Sequence, residues 1–242
     1  MTVLIFGSTG ALGRALADQC ASRGYGLILH GRNSEDLDIL ANDIRIRYDV
    51  DVEKVIIDLS KDECILKIQE NMNLFKKAAV VFFTLASTHK EDTGCLNSEE
   101  SLKIMNVNFN SIIWVVSSLL NQYENEGGTI VLCGSIATAR GRNSNIIYSA
   151  CKRALNSYAQ SLRHRFQGTK AKVQLYHLGF IEGRNTTEVK AKVLITQPQK
   201  VAQKMVDNLQ KGSFECHYPK FWFFITSLFK TLPWFIFKRM KF

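Results

Sequence analysis

The feature that most limits what this chain can fold into lies at its start. An apolar run at 3–6 leads directly into Gly7-Ser8-Thr9-Gly10-Ala11-Leu12-Gly13 and then into a helix-forming stretch, Arg14-Ala15-Leu16-Ala17. A strand, a glycine-rich turn and a helix in immediate succession form the first half of a βαβ unit, whose next strand lies parallel to the first. Further apolar runs recur at 26–30, 54–57, 80–85, 129–133 and 172–178, each followed by a helix-like stretch. The alternation predicts an α/β fold, a doubly wound parallel sheet of Rossmann type. Amphipathic spacing places helices over 11–22, 98–120 and 148–166.

A length of 242 residues suits one such domain. With 46% apolar and 22% charged residues, nothing points to a disordered or fibrous chain. The six cysteines form no CxxC pair and no grouping with the five histidines, so neither a disulfide nor a metal is expected. No signal-peptide pattern precedes the first strand, which implies a cytoplasmic body. The net charge of +9 is concentrated at one end: Lys220, Lys230, Lys238, Arg239 and Lys241 fall in a stretch without an acidic residue. Phe, Trp, Ile and Leu are packed between these charges, a composition that fits an anionic membrane surface better than nucleic acid. The change after Pro219 divides the chain into a body, 1–218, and an amphipathic aromatic and basic segment, 219–242. Lys230 and Pro233 interrupt the apolar part, leaving it short of the ~20 residues of a spanning helix. It is expected to lie in the membrane interface, to cover the body's own core, or to meet a second copy.

The glycine turn lets backbone approach a pyrophosphate, and the helix behind it presents free N–H groups and a partial positive charge. Alone, the same string also describes a tight turn without a ligand. NAD-selective sites carry an acidic residue about 20 positions further on. Here that strand ends His30-Gly31-Arg32-Asn33. The Arg32 guanidinium suits a 2′-phosphate, so NADP(H) is the expected cofactor. Asp58, after the third strand, is placed to accept from the adenine amine or to cap a helix with Leu59 and Ser60.

Tyr148 and Lys152 sit four residues apart, on one helix face. A free phenol titrates near ~10, but an adjacent ammonium and a positive nicotinamide ring favour the phenolate. That proximity makes Tyr148 usable as acid or base. Ser135 follows the strand at 129–133 and Gly134, at the carboxyl end where open α/β sheets bind ligands. Cys133 and Cys151 read as small buried hydrophobes, and His177 as an interior residue.

With these residues in this order, residues 1–218 resemble the short-chain dehydrogenase/reductase family. The match rests on the glycine turn, Asn108 in Met105-Asn106-Val107-Asn108, Ser135 in Gly134-Ser135-Ile136, and Tyr148 with Lys152. The resemblance implies an oxidoreductase that interconverts a ketone and a secondary alcohol. Ser135 would polarise the carbonyl, Tyr148 act as general acid or base, and Lys152 lower the Tyr148 pKa while bonding the nicotinamide ribose. Asn108 would hold a proton-relaying water. Cofactor contacts would come from Gly7, Ser8, Thr9, Gly10, Ala11, Leu12, Gly13, Arg32, Asp58, Leu59, Ala86, Tyr148, Lys152, Gly179 and Ile181. A homo-oligomer formed through the helices at 98–120 and 148–166 is also implied.

Three departures from the family pattern stand out. Thr84-Leu85-Ala86-Ser87 replaces the usual Asn-Asn-Ala-Gly; Leu178-Gly179 replaces Pro-Gly, with Glu182-Gly183-Arg184 where a threonine is usual; and the glycines fall at 7, 10 and 13. That last spacing is typical of longer epimerase-type members, but little chain remains for their substrate domain. The tail is similar to those of bacterial members that reduce polyprenyl-phosphate-linked keto-sugars in envelope polysaccharide synthesis. This implies a lipid-linked or other amphipathic carbonyl substrate and a peripheral location on the inner membrane face. The alternative is an NADP(H)-binding sensor or scaffold without turnover.

Overall fold

The computed structural model describes residues 1–183 and 194–240. Strands and helices alternate from the start: β1 (Thr2–Phe6), α1 (Ala11–Ala21), β2 (Gly26–Gly31), α2 (Ser34–Tyr48) and β3 (Val52–Ile56). Two short helices, α3 (Cys64–Glu70) and α4 (Met72–Phe75), lead to β4 (Val80–Phe83). Then come α5 (Ser98–Met105), a π turn (Asn106–Asn110), α6 (Ser111–Glu126), β5 (Gly128–Ser135) and a 3-10 turn (Ile136–Thr138). The second half adds α7 (Ile146–Arg165), β6 (Ala171–Leu178), β7 (Phe180–Ile181), β8 (Ile195–Thr196), α8 (Pro198–Asp207), β9 (Phe214–Tyr218), α9 (Phe221–Thr231) and α10 (Trp234–Phe237).

Among the described residues, seven strands form one parallel sheet in the order β3-β2-β1-β4-β5-β6-β9, and β7 and β8 pair as a separate two-stranded sheet. β1 is covered on both faces, so its Val3-Leu4-Ile5-Phe6 run is wholly buried and shows no polar alternation. One core joins the sheet to α3, α6 and α7, and the other joins it to α1, α2 and α8. The strand order reverses between β1 and β4, which opens a crevice at their carboxyl ends.

The helix expected over 98–120 is instead α5, the π turn and α6, reaching Glu126. The extra residue of a π turn slips the helical period, which hydrophobic spacing alone does not register. β9, a half-buried edge strand, is a seventh strand beyond the six expected. The tail folds into α9 and α10 and turns one side inward: Trp222 and Phe237 are only 5% and 6% exposed. Its outer side carries Phe224 and Trp234, which are 71% and 64% exposed. No helix among the described residues is long and apolar enough to cross a membrane.

Candidate active site

A cleft of about 1280 Å³ runs along the carboxyl ends of the strands. Pockets of about 300–1,000 Å³ hold one drug-sized ligand, so this one has room for a dinucleotide and a substrate together. At its nucleotide end Gly7 adopts φ +82°, and a Cβ there would lie 2.9 Å from Thr84 Oγ1. A Cβ on Gly13 would fall 2.6 Å from Ser8 Cα and into the Gly7 carbonyl. Helix α1 follows its N-cap Gly10 with no side-chain cap and no acidic residue in its first turn. Its first amides therefore face the cleft uncapped, a cradle that fits a pyrophosphate.

His30 supports this turn from below. Its Nδ1 accepts from Gly7 N–H at 3.3 Å, and its Nε2 lies 3.1 Å from the Ile57 carbonyl, to which it donates. Burial pushes its pKa down to about 4, so the ring is neutral, as both bonds require. Ser8 is turned into the sheet, donating from Oγ to His30 O at 3.0 Å. Arg32 and Asp58 border the cleft. Burial raises the Asp58 pKa, but hydrogen bonds from Ser60 and the charge of Arg32 outweigh it, and the net shift is downward. Asp58 Oδ1 accepts from Ser60 N at 3.0 Å and from Ser60 Oγ at 2.7 Å, the turn-forming role. Arg14, which the sequence reading passed over, also lines this end, with Nε donating to Thr9 O at 3.0 Å.

In the middle of the cleft Ser135, at the end of β5, lies close to Tyr148 from α7, and its hydroxyl favours the Tyr148 phenolate. Burial raises the Tyr148 pKa, and the Ser135 hydroxyl and the charge of Arg142 only partly offset it. Lys152 is buried; its Nζ donates to Leu85 O at 2.8 Å and Cys133 O at 3.0 Å and lies 5.9 Å from the Tyr148 ring centroid. Burial lowers its pKa to about 8. Cys133 beside it is held protonated, pushed up to about 12 by burial.

A strap after β4 is tied down around these groups. Asn108, in the π turn, donates both amide protons, to Ser87 O at 2.7 Å and Ile104 O at 2.8 Å, and accepts from Ser87 N at 3.1 Å. Its side-chain nitrogen thus has no proton left for a water. The buried Asp92 accepts from Ile147 N at 2.9 Å and Tyr148 N at 3.0 Å, capping α7 from outside the helix. An ionised carboxylate suits that end of a helix. Asp92 lies far from Tyr148 in the sequence and had no local signal.

The tail walls the far end of the cleft through Trp222, Ile225, Thr226, Phe229 and Phe237. Arg140 fastens it: Nη1 donates to Phe229 O at 3.2 Å and to Leu232 O, carbonyls at the C-terminal end of α9. The same guanidinium lies 4.4 Å from the Phe237 ring centroid. Gly179 is what lets Trp222 approach, since a Cβ there would overlap the indole. His177, as expected, is interior, 2.7 Å from Glu215 and stacked on His217 at 4.5 Å. Helical spacing of 222, 225, 226 and 229 was the signal that could have revealed the inward face.

Of the residues expected at the site, the cleft brings together Gly7, Thr9, Gly10, Ala11, Leu12, Gly13, Arg32, Asp58, Leu59, Ala86, Ser135, Tyr148, Lys152, Gly179 and Ile181. Ser8 and Asn108 stand behind the lining. Arg184 lies outside the described residues.

The sequence profile described as short chain dehydrogenase matches residues 1–194. Carbonyl reductase family member 4 of Danio rerio is 25% identical over 214 residues, covering 84% of this chain and 88% of that protein. The inactive hydroxysteroid dehydrogenase-like protein 1 of Homo sapiens is 26% identical over 170 residues, 67% of this chain and 50% of that protein. Among solved structures, a short-chain dehydrogenase from Sphingobium yanoikuyae in complex with NADPH superposes with a TM-score of 0.82 at 16% identity, covering 99% of this chain and 96% of that one. A matching profile over most of the chain, on a seven-stranded sheet with Ser135, Tyr148 and Lys152 around one cleft, establishes that this protein belongs to the short-chain dehydrogenase family of NAD(P)-dependent oxidoreductases.

Proposed function

We propose that this chain is an NADP(H)-dependent carbonyl reductase whose substrate is a lipid-linked keto-sugar of envelope polysaccharide synthesis or another amphipathic ketone, met at an anionic membrane surface. The observation that carries the reading is the meeting of Ser135, Tyr148 and Lys152 in one cleft beside an uncapped helix N-terminus. When bound, the nicotinamide ring supplies or accepts the hydride. Ser135 holds the substrate oxygen, and Tyr148, kept protonated by burial, delivers a proton to it as the carbonyl is reduced. Lys152 has one N–H beyond those given to Leu85 and Cys133, available to a ribose hydroxyl. Asn108 is a positioning residue that fixes the strap beside Lys152. Arg32, at a position without a carboxylate, supports NADP(H) over NAD(H), and NADPH is the cofactor named for the Sphingobium structure.

The membrane part of the reading rests on the outer side of the tail. Phe223, Phe224, Leu228, Trp234 and Phe235 are exposed there among Lys220, Lys230, Lys238 and Arg239, with no acidic residue between. Because the inner side of the same helices walls the cleft, a substrate anchored in lipid would enter where the tail meets the bilayer. A homo-oligomer through α6 and α7 belongs to the same proposal. The alternative of a dinucleotide-binding module without turnover draws on the human relative named inactive; the retained Ser135, Tyr148 and Lys152 favour turnover.

Fluorescence titration with NADPH and NADH on wild type and Arg32→Ala tests the cofactor assignment, with preference for NADPH expected to collapse in the variant. Across a ketone panel, Tyr148→Phe is expected to lower kcat by about 10²–10⁴-fold. Unchanged turnover in that variant would remove Tyr148 from the chemistry.

A further inference from the structure

Among the described residues, five cationic side chains line the cleft, Arg14, Arg32, Arg140, Arg142 and Lys152, against two carboxylates, Asp58 and Glu182. Three of these already have partners: Arg14 bonds Thr9, Lys152 bonds Leu85 and Cys133, and Arg140 holds the end of α9. Arg32 is exposed, so its charge is solvated. Arg142 has neither a partner nor full exposure. Its half-buried guanidinium makes no hydrogen bond or ion pair among the described residues, and its Nε is buried without a partner. Burial lowers its pKa, and Tyr148 offsets this only in part. Keeping such a group is costly unless a ligand completes it. An unpaired cationic donor calls for a ligand with anionic acceptor oxygens.

Arg142 lies in the loop between Ser135 and α7, and its charge acts on Tyr148. A group bonded to it would sit next to the carbonyl that Ser135 and Tyr148 address. We propose that Arg142 recognises an anionic oxygen group, a carboxylate or a phosphate, carried by the substrate near its carbonyl, so that the site selects anionic ketones over neutral ones. This deepens, and rests on, the reading of the cleft as a carbonyl-reducing site. Arg142 is thereby a specificity-determining residue.

The test uses the full chain loaded with NADP+, so that the nucleotide's own phosphate sites are filled. Calorimetric titrations compare hexyl phosphate with its neutral dimethyl ester on wild type, Arg142→Gln and Arg142→Lys. Wild type is expected to bind the phosphate at least about 10-fold more tightly than the ester, a preference lost in Arg142→Gln and largely kept in Arg142→Lys. Melting temperatures check that the glutamine variant folds, which it should, since it loses a half-buried charge that bonds to no protein group among the described residues. In parallel, the ratio of kcat/KM for a keto acid over its methyl ester should fall toward one in Arg142→Gln. Equal affinity for phosphate and ester in wild type, or a preference that survives Arg142→Gln, would overturn the proposal. So would a loss shared equally by keto acid and ester, which would assign Arg142 to the titration of Tyr148. A charge preference in binding without reduction of any ketone would leave the anion site standing and remove the reductase reading instead.

Discussion

The two ends of the cleft are built by different means. At the nucleotide end, backbone makes the surface: Gly7 and Gly13 exist there because a Cβ would strike Thr84 Oγ1 or main-chain atoms, and His30 locks the turn through two hydrogen bonds to backbone. At the substrate end, side chains from distant segments make it: Trp222 lies on Gly179, Arg140 grips the end of α9, and Phe237 closes over Arg140. A backbone surface tolerates almost no change and recurs with its motif, whereas a side-chain surface is where one member of a family comes to differ from the next.

The largest effect that distinguishes the ends is expected from a methyl group added at each. In Gly13→Ala the new Cβ meets the Gly7 carbonyl and Ser8 Cα, which have no room to yield. NADPH affinity should fall by about 100-fold or more, roughly 3 kcal/mol. In Gly179→Ala the obstacle is the Trp222 indole, which can swing out. That variant should keep most of its NADPH affinity while α9 loses protection in hydrogen exchange. Equal losses of NADPH binding would show that the tail supports the nucleotide end after all.

The histidines sharpen the contrast through pH. His30 titrates at about 4 in the folded chain against an ordinary 6.5, because burial disfavours its charge. Below 6.5 the unfolded chain therefore binds a proton that the folded chain refuses, and stability falls as pH drops from 6.5 to 4, by about 3 kcal/mol, being fully present above 6.5. His217, at the substrate end, is also pushed down to about 4, by burial and by the neighbouring His177, but it is only half-buried. Urea unfolding across this window should lose most of its pH slope in His30→Gln and much less in His217→Gln.

Arg140→Met removes the donor to Phe229 and Leu232 and the cation above Phe237. The expected cost is about 2 kcal/mol, confined to α9 and α10 and read by hydrogen exchange over 221–237, with NADPH affinity unchanged.

What the sequence disclosed follows the same division. The glycine turn, Ser135 and the Tyr148–Lys152 pair are strings whose geometry is local, so a strand or a helix alone places them. β9 was missed because an edge strand with a half-buried pattern, Phe214 to Tyr218, looks like loop until it pairs with β6. The single helix expected through 98–120 hid the π turn that carries Asn108. In the tail, composition registered the exposed rings but not the i, i+3, i+4, i+7 set that faces inward from Trp222. Arg140, Arg142 and Asp92 have no local signature, since what defines each is a partner, or the lack of one, far away in the chain.

Asp92 lies where the two ends join, and the smallest of these effects tests whether they are independent. The strap that begins at Thr84 is held by Thr84 Oγ1 on Phe6 O at 2.8 Å, by Asn108 on Ser87 and by Lys152 on Leu85, and it finishes with Asp92 on the first amides of α7. One segment therefore touches the glycine turn and the helix that carries Tyr148. Asp92→Asn keeps one acceptor and turns an amide toward a backbone donor, so about 1 kcal/mol of capping should be lost, some 2–4 °C in a chain of this size. If the strap is rigid, that loss appears in the melting temperature and kcat shifts with it, because the first turn of α7 frays where Tyr148 stands, while the NADPH dissociation constant stays put. A change in NADPH affinity of the same size would mean that the strap transmits strain to the glycine turn, and that the backbone-built end and the side-chain-built end act as one unit.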